Sequence, residues 1–196
     1  MKQARVLTDA ELKRVLALCD SHTQGKRNRL AVLLSHYAGL RVGEIASLKW
    51  SDVLNSDGTI RDQFYLKAEN TKSKEARAVH LNDRLQRELR QWKSCLRQVT
   101  TDGPIIPSQK RSKHYNSELG HFSANSLCQL FARIYSAAGV DGASSHSGRR
   151  WFITRLAHSG VSPKVIMTLA GHKSLATTQR YIDINDEMMA NAVGRL

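Results

Sequence analysis

A chain of 196 residues with 41% hydrophobic and 24% charged residues has the make-up of one globular domain, which excludes a disordered or fibrous polypeptide. Lys and Arg number 30 against 17 Asp and Glu, a formal charge of +13, so a polyanionic partner is expected; the scatter of basic residues along the whole chain favours nucleic acid over a membrane surface. Cys19, Cys95 and Cys128 are widely spaced with no CxxC pair, the N-terminus lacks a signal-like apolar core, and no apolar run approaches about 18 residues, so a zinc site, a disulfide framework, secretion and a membrane span are not expected, and a reducing cytoplasm is.

Thr8-Asp9-Ala10-Glu11 carries the capping-box pattern of a helix start, and Leu12, Val15, Leu16 and Leu18 follow at helical spacing. The basic patch Lys26-Arg27-Asn28-Arg29 opens a second helix, Leu30 to Ala38. The stretch Gly39-Leu40-Arg41-Val42-Gly43-Glu44 breaks it, and a short helix runs on through Ile45 and Leu48. Asn55-Ser56-Asp57-Gly58 is a tight-turn signal between short strands, and residues 63–67 and 77–81 read as two further strands around a polar hairpin, 69–75. Asn82 or Asp83 caps a helix from about 83 to 99, Pro104 to Pro107 is an extended link, and residues 108–122 form a surface loop. A helix from Ser123 or Asn125 to about Ala138 stops at Gly139. Three short helices follow at about 146–159, 162–170 and 174–182, punctuated by Gly160, Pro163 and Gly171, and residues 185–196 read as a terminal helix. The pattern predicts an α+β fold, mainly α-helical, with a small three-stranded antiparallel sheet, in a single domain over 1–196.

The residues able to do chemistry cluster late in the chain. Ser145-His146-Ser147-Gly148-Arg149-Arg150 is followed by Leu169-Ala170-Gly171-His172 and then Tyr181. Arginine fixes a phosphate through parallel hydrogen bonds and keeps its charge, histidine moves a proton near neutral pH, and a deprotonated tyrosine is an oxygen nucleophile. His146 and Arg149 stand three apart, on one face of a helix. Arg41 lies between two glycines, with Glu44 placed to orient it. Lys72 sits at a polar hairpin tip that can reach a DNA groove or deliver a proton, and Lys74 competes for that role. These groups suit phosphoryl transfer with neither metal nor cofactor.

In this order, the segments resemble the catalytic domain of the tyrosine recombinases, the phage-integrase family. The resemblance runs from about Thr8 to beyond Tyr181. Residues 39–44 match the first arginine box, 71–81 the β-hairpin lysine at Lys72, His146 to Arg149 the HxxR box, and Leu169 to Tyr181 the LGH…Y box. It implies that Tyr181 attacks a DNA phosphate and becomes joined to the 3′ end. It implies that Arg41 and Arg149 hold the non-bridging oxygens, that Lys72 protonates the leaving oxygen, and that His146 handles the tyrosine proton. His172 would hydrogen-bond the phosphate and Glu44 would support this shell. Lys26, Arg27, Arg29, Lys74, Arg150 and Lys173 are candidate DNA contacts. The implied partner is double-stranded DNA, bound by a homo-tetramer whose subunits are monomers in free solution, in the nucleoid of the cytoplasm. Met188, Met189, Ala192, Val193 and Leu196 supply an apolar face, either for a neighbouring subunit or for packing against their own domain.

The chain departs from the family's pattern at Gly148, where an apolar residue is commoner, at Arg150, where histidine is common, and at His80, which replaces a frequent proline. The usual N-terminal helical domain that clamps DNA has no room before Arg41, so the chain is expected to be an excised fragment or a short single-domain member. Two other functions fit the same residues: a catalytically silent DNA-binding regulator, and a relaxing type IB-like topoisomerase. A metal-dependent nuclease would need a carboxylate cluster that the sequence does not display.

Overall fold

Thr8 opens the first helix as its spacing predicts. In the computed structural model, which describes residues 4–70, 75–109, 120–181, 189–190 and 193–194, the Thr8 hydroxyl accepts from the Glu11 amide at 3.2 Å, and the Glu11 carboxylate accepts from the Thr8 amide at 2.9 Å. Helix α1 (Asp9–Asp20) then buries Leu12, Val15, Leu16 and Cys19. Helix α2 (Gly25–Tyr37) begins earlier than the apolar pattern suggests, so Lys26 to Arg29 lie within it. Every residue from Leu30 to His36 is buried; a helix enclosed on all sides is a central one, and α2 is the axis of the fold.

Short helices α3 (Val42–Ser47) and α4 (Trp50–Val53) follow, then strands β1 (Gln63–Leu66) and β2 (Arg77–His80), paired antiparallel from Gln63↔His80 to Leu66↔Arg77. The expected third strand is reduced to one bridge, Leu54↔Ile60. The turn at 55–58 forms, with the Asn55 amide donating to Thr59 O at 2.9 Å, but Trp50–Val53 coils into α4 and leaves no residues for a strand before it. Helix α5 (Asp83–Ser94) is capped by Asn82, whose side chain accepts from the Leu85 amide. Helix α6 (Ala124–Ala137) is capped by Ser123.

Helix α7 (Ser147–His158) packs across α2 at Gly148. A Cβ at that position would fall 2.4 Å from Ser35 Oγ and 2.7 Å from His36 Nδ1, so only glycine permits this approach, which accounts for the departure from the family's pattern there. Helix α8 (Pro163–Ala170), capped by Ser162, turns at Gly171 (φ +64°) into α9 (Leu175–Gln179). Ile153, Ala157, Ile166 and Ala170 form a small second core against which Tyr181 packs. The hairpin tip at 71–74, most of the 108–122 loop and most of the terminal helix expected at 185–196 fall outside the described residues. Among the described residues no helix is long and apolar enough to cross a membrane.

Candidate active site

Arg41 stands at the N-cap of α3, and Glu44, one turn on, closes the helix start. Glu44 Oε2 accepts from the Arg41 amide at 2.9 Å, and Oε1 accepts from Arg41 Nη1 at 2.8 Å. Glu44 is 1% exposed. Burial pushes its carboxyl up, but Arg77, the Arg41 amide, the Arg41 guanidinium and Arg149 together outweigh it and hold the group below the usual carboxylate range. It is therefore an ionised carboxylate enclosed by cations.

Arg149 enters from α7 and is 4% exposed. Its Nη1 donates to Gly39 O at 2.7 Å, and its Nη2 donates to Ala170 O. These carbonyls precede Arg41 and His172 respectively, so one side chain ties both arms of the site together. The remaining N–H groups are left for an anion. Burial, then the charges of Arg41 and Arg77, press its pKa down to about 9 against the pull of Glu44, and it stays charged at neutral pH. His146 caps α7 one turn ahead of Arg149, with an exposed side chain.

His172 follows the left-handed Gly171. Its Nδ1 lies 2.9 Å from the hydroxyl of the fully buried Thr178. Burial, then Arg149, Arg41 and Arg77, lower its pKa to about 4, so the ring is neutral at pH 7. When Thr178 donates to Nδ1, the ring proton sits on Nε2, where it can be given to a phosphate oxygen. Tyr181, half-buried, stacks on His172 with ring centroids 5.7 Å apart. The Arg150 guanidinium lies 5.8 Å over the Tyr181 ring centroid, and its Nη1 donates to Ala4 O at 3.0 Å.

Arg41, Glu44, Arg149, His172 and Tyr181 thus converge from α3, α7 and the α8–α9 corner. Lys72 and Lys74 lie outside the described residues. Arg77, which sequence reasoning passed over, stands among them: Nη2 donates to Glu44 Oε2 at 2.9 Å and Nη1 to Leu169 O at 2.8 Å. Nothing local in the sequence marks it; only the pairing it makes across the fold does.

Of the candidate DNA contacts near residue 27, Arg27 is placed otherwise than expected. Arg27 is 4% exposed, donates to Pro107 O at 3.0 Å, and lies over the Phe122 ring, so its guanidinium is a strut of the fold with no face left for a phosphate. Arg29 pairs with Asp20 at 2.9 Å and Glu88 at 3.0 Å, and Lys26 donates to Cys95 Sγ at 3.1 Å. Lys173 is exposed, with Nζ 3.7 Å from Glu75 Oε1.

This arrangement sets fixed guanidinium groups, able to bind an anion, beside a neutral imidazole and a tyrosine hydroxyl. The sequence pattern of the phage integrase family matches residues 5–188. Tyrosine recombinase XerA of Thermococcus kodakarensis is 31% identical over 188 residues, covering 96% of this chain and 61% of that protein. A crystal structure of XerA recombinase superposes with a TM-score of 0.75 at 23% identity, covering 100% of this chain and 64% of the other. XerH recombinase bound to palindromic difH substrate in a post-cleavage complex gives 0.71 at 24% identity, covering 98% and 53%. The chain spans about 60% of the length of the curated relatives it matches. Matched along nearly all of its described length, the chain belongs to the phage integrase family.

Proposed function

We propose that this chain is the catalytic domain of a site-specific DNA recombinase that breaks and rejoins duplex DNA through a 3′-phosphotyrosine intermediate. The observation that carries this reading is the tie of Arg149 to the carbonyls of Gly39 and Ala170, which sets Arg41, Arg149 and His172 around one position beside Tyr181. In the proposed reaction the Tyr181 oxygen attacks the phosphorus and the bond to the 5′ oxygen breaks. His146 takes the tyrosine proton, and Lys72 gives one to the leaving 5′ oxygen. Arg41 and Arg149 stabilise the charge on the non-bridging oxygens, and His172 donates to one of them. The phosphotyrosine keeps the ester's energy, so a second 5′ hydroxyl can reseal the strand.

The charge of +13 supports duplex DNA as the partner, with Arg150 and Lys173 as contacts beside the site and Lys74 on the hairpin. Met189 and Val193 are exposed, which supports a tail that docks on a neighbouring subunit in a tetramer on DNA. The proposed place of action is the nucleoid.

The test is covalent. The wild-type protein is incubated in EDTA with a nicked suicide duplex from the DNA flanking its own gene, and run on a denaturing gel. A protein–DNA band absent in Tyr181→Phe is the expected result. Binding without an adduct would favour a silent regulator, and relaxation of any supercoiled plasmid would favour a topoisomerase.

A further inference from the structure

Arg77 stands at the first position of β2, five residues after Lys72 in the sequence. Its side chain is 9% exposed. One end of the guanidinium donates to Glu44, 33 residues away in sequence, and the other to the carbonyl of Leu169, 92 residues away. The aliphatic stem crosses Gly171: a Cβ there would fall 2.5 Å from Arg77 Cδ and 2.9 Å from its Nε. The Nε itself is shielded from solvent with no partner among the described residues, so the side chain is held by its two Nη contacts and by this close packing.

The electrostatics give the contact its meaning. One buried carboxylate, Glu44, faces three guanidinium groups, Arg41, Arg77 and Arg149. A buried charge that loses a partner takes what compensation lies nearest. Without Arg77, the nearest compensation is Arg41 and Arg149, the groups a phosphate needs. The Leu169 carbonyl, one residue before the Ala170 carbonyl that holds Arg149, would lose its donor in the same step.

We propose that Arg77 is a positioning residue for strand transfer: it neutralises Glu44 so that Arg41 and Arg149 remain available to the phosphate, and it ties the Leu169–His172 corner to the strand that follows Lys72. This rests on the recombinase reading above.

Three variants test it. Arg77→Met keeps the stem and removes the charge; on the suicide duplex it should form the Tyr181 adduct about 100-fold more slowly than wild type, the scale of a small misplacement in an active site. DNA affinity and its salt dependence should not change, because Arg77 meets no phosphate. Arg77→Met combined with Glu44→Gln should recover about tenfold of the loss, since the uncompensated carboxylate is gone. Arg77→Lys, which restores charge but cannot span Glu44 and Leu169 together, should fall between. A wild-type rate in Arg77→Met, or no recovery in the double variant, overturns the proposal.

A second readout needs no DNA. Arg41, Arg149 and His172 face the same pair in every variant. The melting-temperature deficit of Arg77→Met should shrink as the pH falls from about 7 to about 4 and Glu44 takes up a proton, and it should lose this pH dependence in the Glu44→Gln background. A deficit equal at every pH would mean lost packing alone and overturns the neutralising role. If the wild-type protein forms no adduct, the recombinase reading fails, and the melting series still decides the role of Arg77.

Discussion

The imidazole of His172 lies against the phenol ring of Tyr181, with planes tilted by only 23°. The contact is made by the ring faces, so packing sets where the tyrosine sits and leaves the hydroxyl for the proposed reaction. Tyr181→Phe should therefore keep the fold, the melting temperature and the DNA affinity while abolishing the denaturation-resistant adduct. Gel shift, thermal unfolding and a denaturing gel measure these separately. An adduct that persists in Tyr181→Phe would assign the nucleophile elsewhere.

Substitutions of Arg41 and Arg149 should separate in stability although both should slow the proposed reaction. Arg41→Ala should slow single-turnover cleavage by about 100- to 1,000-fold, the usual loss for one preorganised donor, with little change in melting temperature because Arg77 still neutralises Glu44. Arg149→Lys should lose both activity and stability. A lysine cannot hold the Gly39 and Ala170 carbonyls at once, and an orphaned buried carbonyl costs about 1–3 kcal/mol.

Gly148→Ala should destabilise the protein by about 1–3 kcal/mol, the cost of overpacking, even though alanine is the better helix former. The added methyl meets Ser35 Oγ at 2.4 Å and Ser35 Cβ at 2.8 Å. Denaturant unfolding measures the loss. Ser35→Gly in the same chain should restore part of it, and a stabilised Gly148→Ala protein would contradict the α2–α7 contact.

Stability should fall as the solution is acidified through the histidine range. His36 is fully buried, and burial lowers its pKa from 6.5 to about 4, despite its contact with the Val32 carbonyl. Below about pH 6.5 the unfolded chain takes up a proton that the folded one refuses, so folding weakens until about pH 4, by about 3 kcal/mol for this ring. His172 acts in the same window, and the depressed Glu44 adds its own loss at lower pH. Urea unfolding between about pH 7 and pH 5 measures the slope. His36→Leu should remove its share of the slope and leave that of His172, whatever it does to the stability at pH 7.

Arg27→Met should leave DNA affinity unchanged and lower the melting temperature, because the guanidinium it removes supports Pro107 and Phe122. A weakened gel shift at unchanged melting temperature would return Arg27 to the DNA surface.

What could be read before the fold was known was written locally. The caps at Thr8, Asn82 and Ser123 announce their helices because the side chain accepts from the orphan amide three residues on. The order of the boxes around Arg41, Arg149, His172 and Tyr181 was equally plain. Arg27 misled because four polar residues in a row look solvent-facing. Starting the helix at Gly25 turns Arg27 and Asn28 inward while Lys26 stays outside. Arg77 was illegible for the opposite reason: both of its partners are distant in sequence, and an arginine in a chain of 30 basic residues draws no notice by type. The third strand failed because a run of four residues around Trp50 chose a helical turn, a decision made by packing.

The two carbonyls that fasten Arg149 have a thermodynamic corollary. One belongs to the link between α2 and α3 and the other to the end of α8, so the guanidinium is held at both ends only when α8 has docked on α7. Local opening of that corner would release the guanidinium together with His172 and Tyr181, dismantling the whole reaction centre in one cooperative unit. On the proposed function a partly opened molecule would be disarmed, and strand scission would be confined to the fully assembled state.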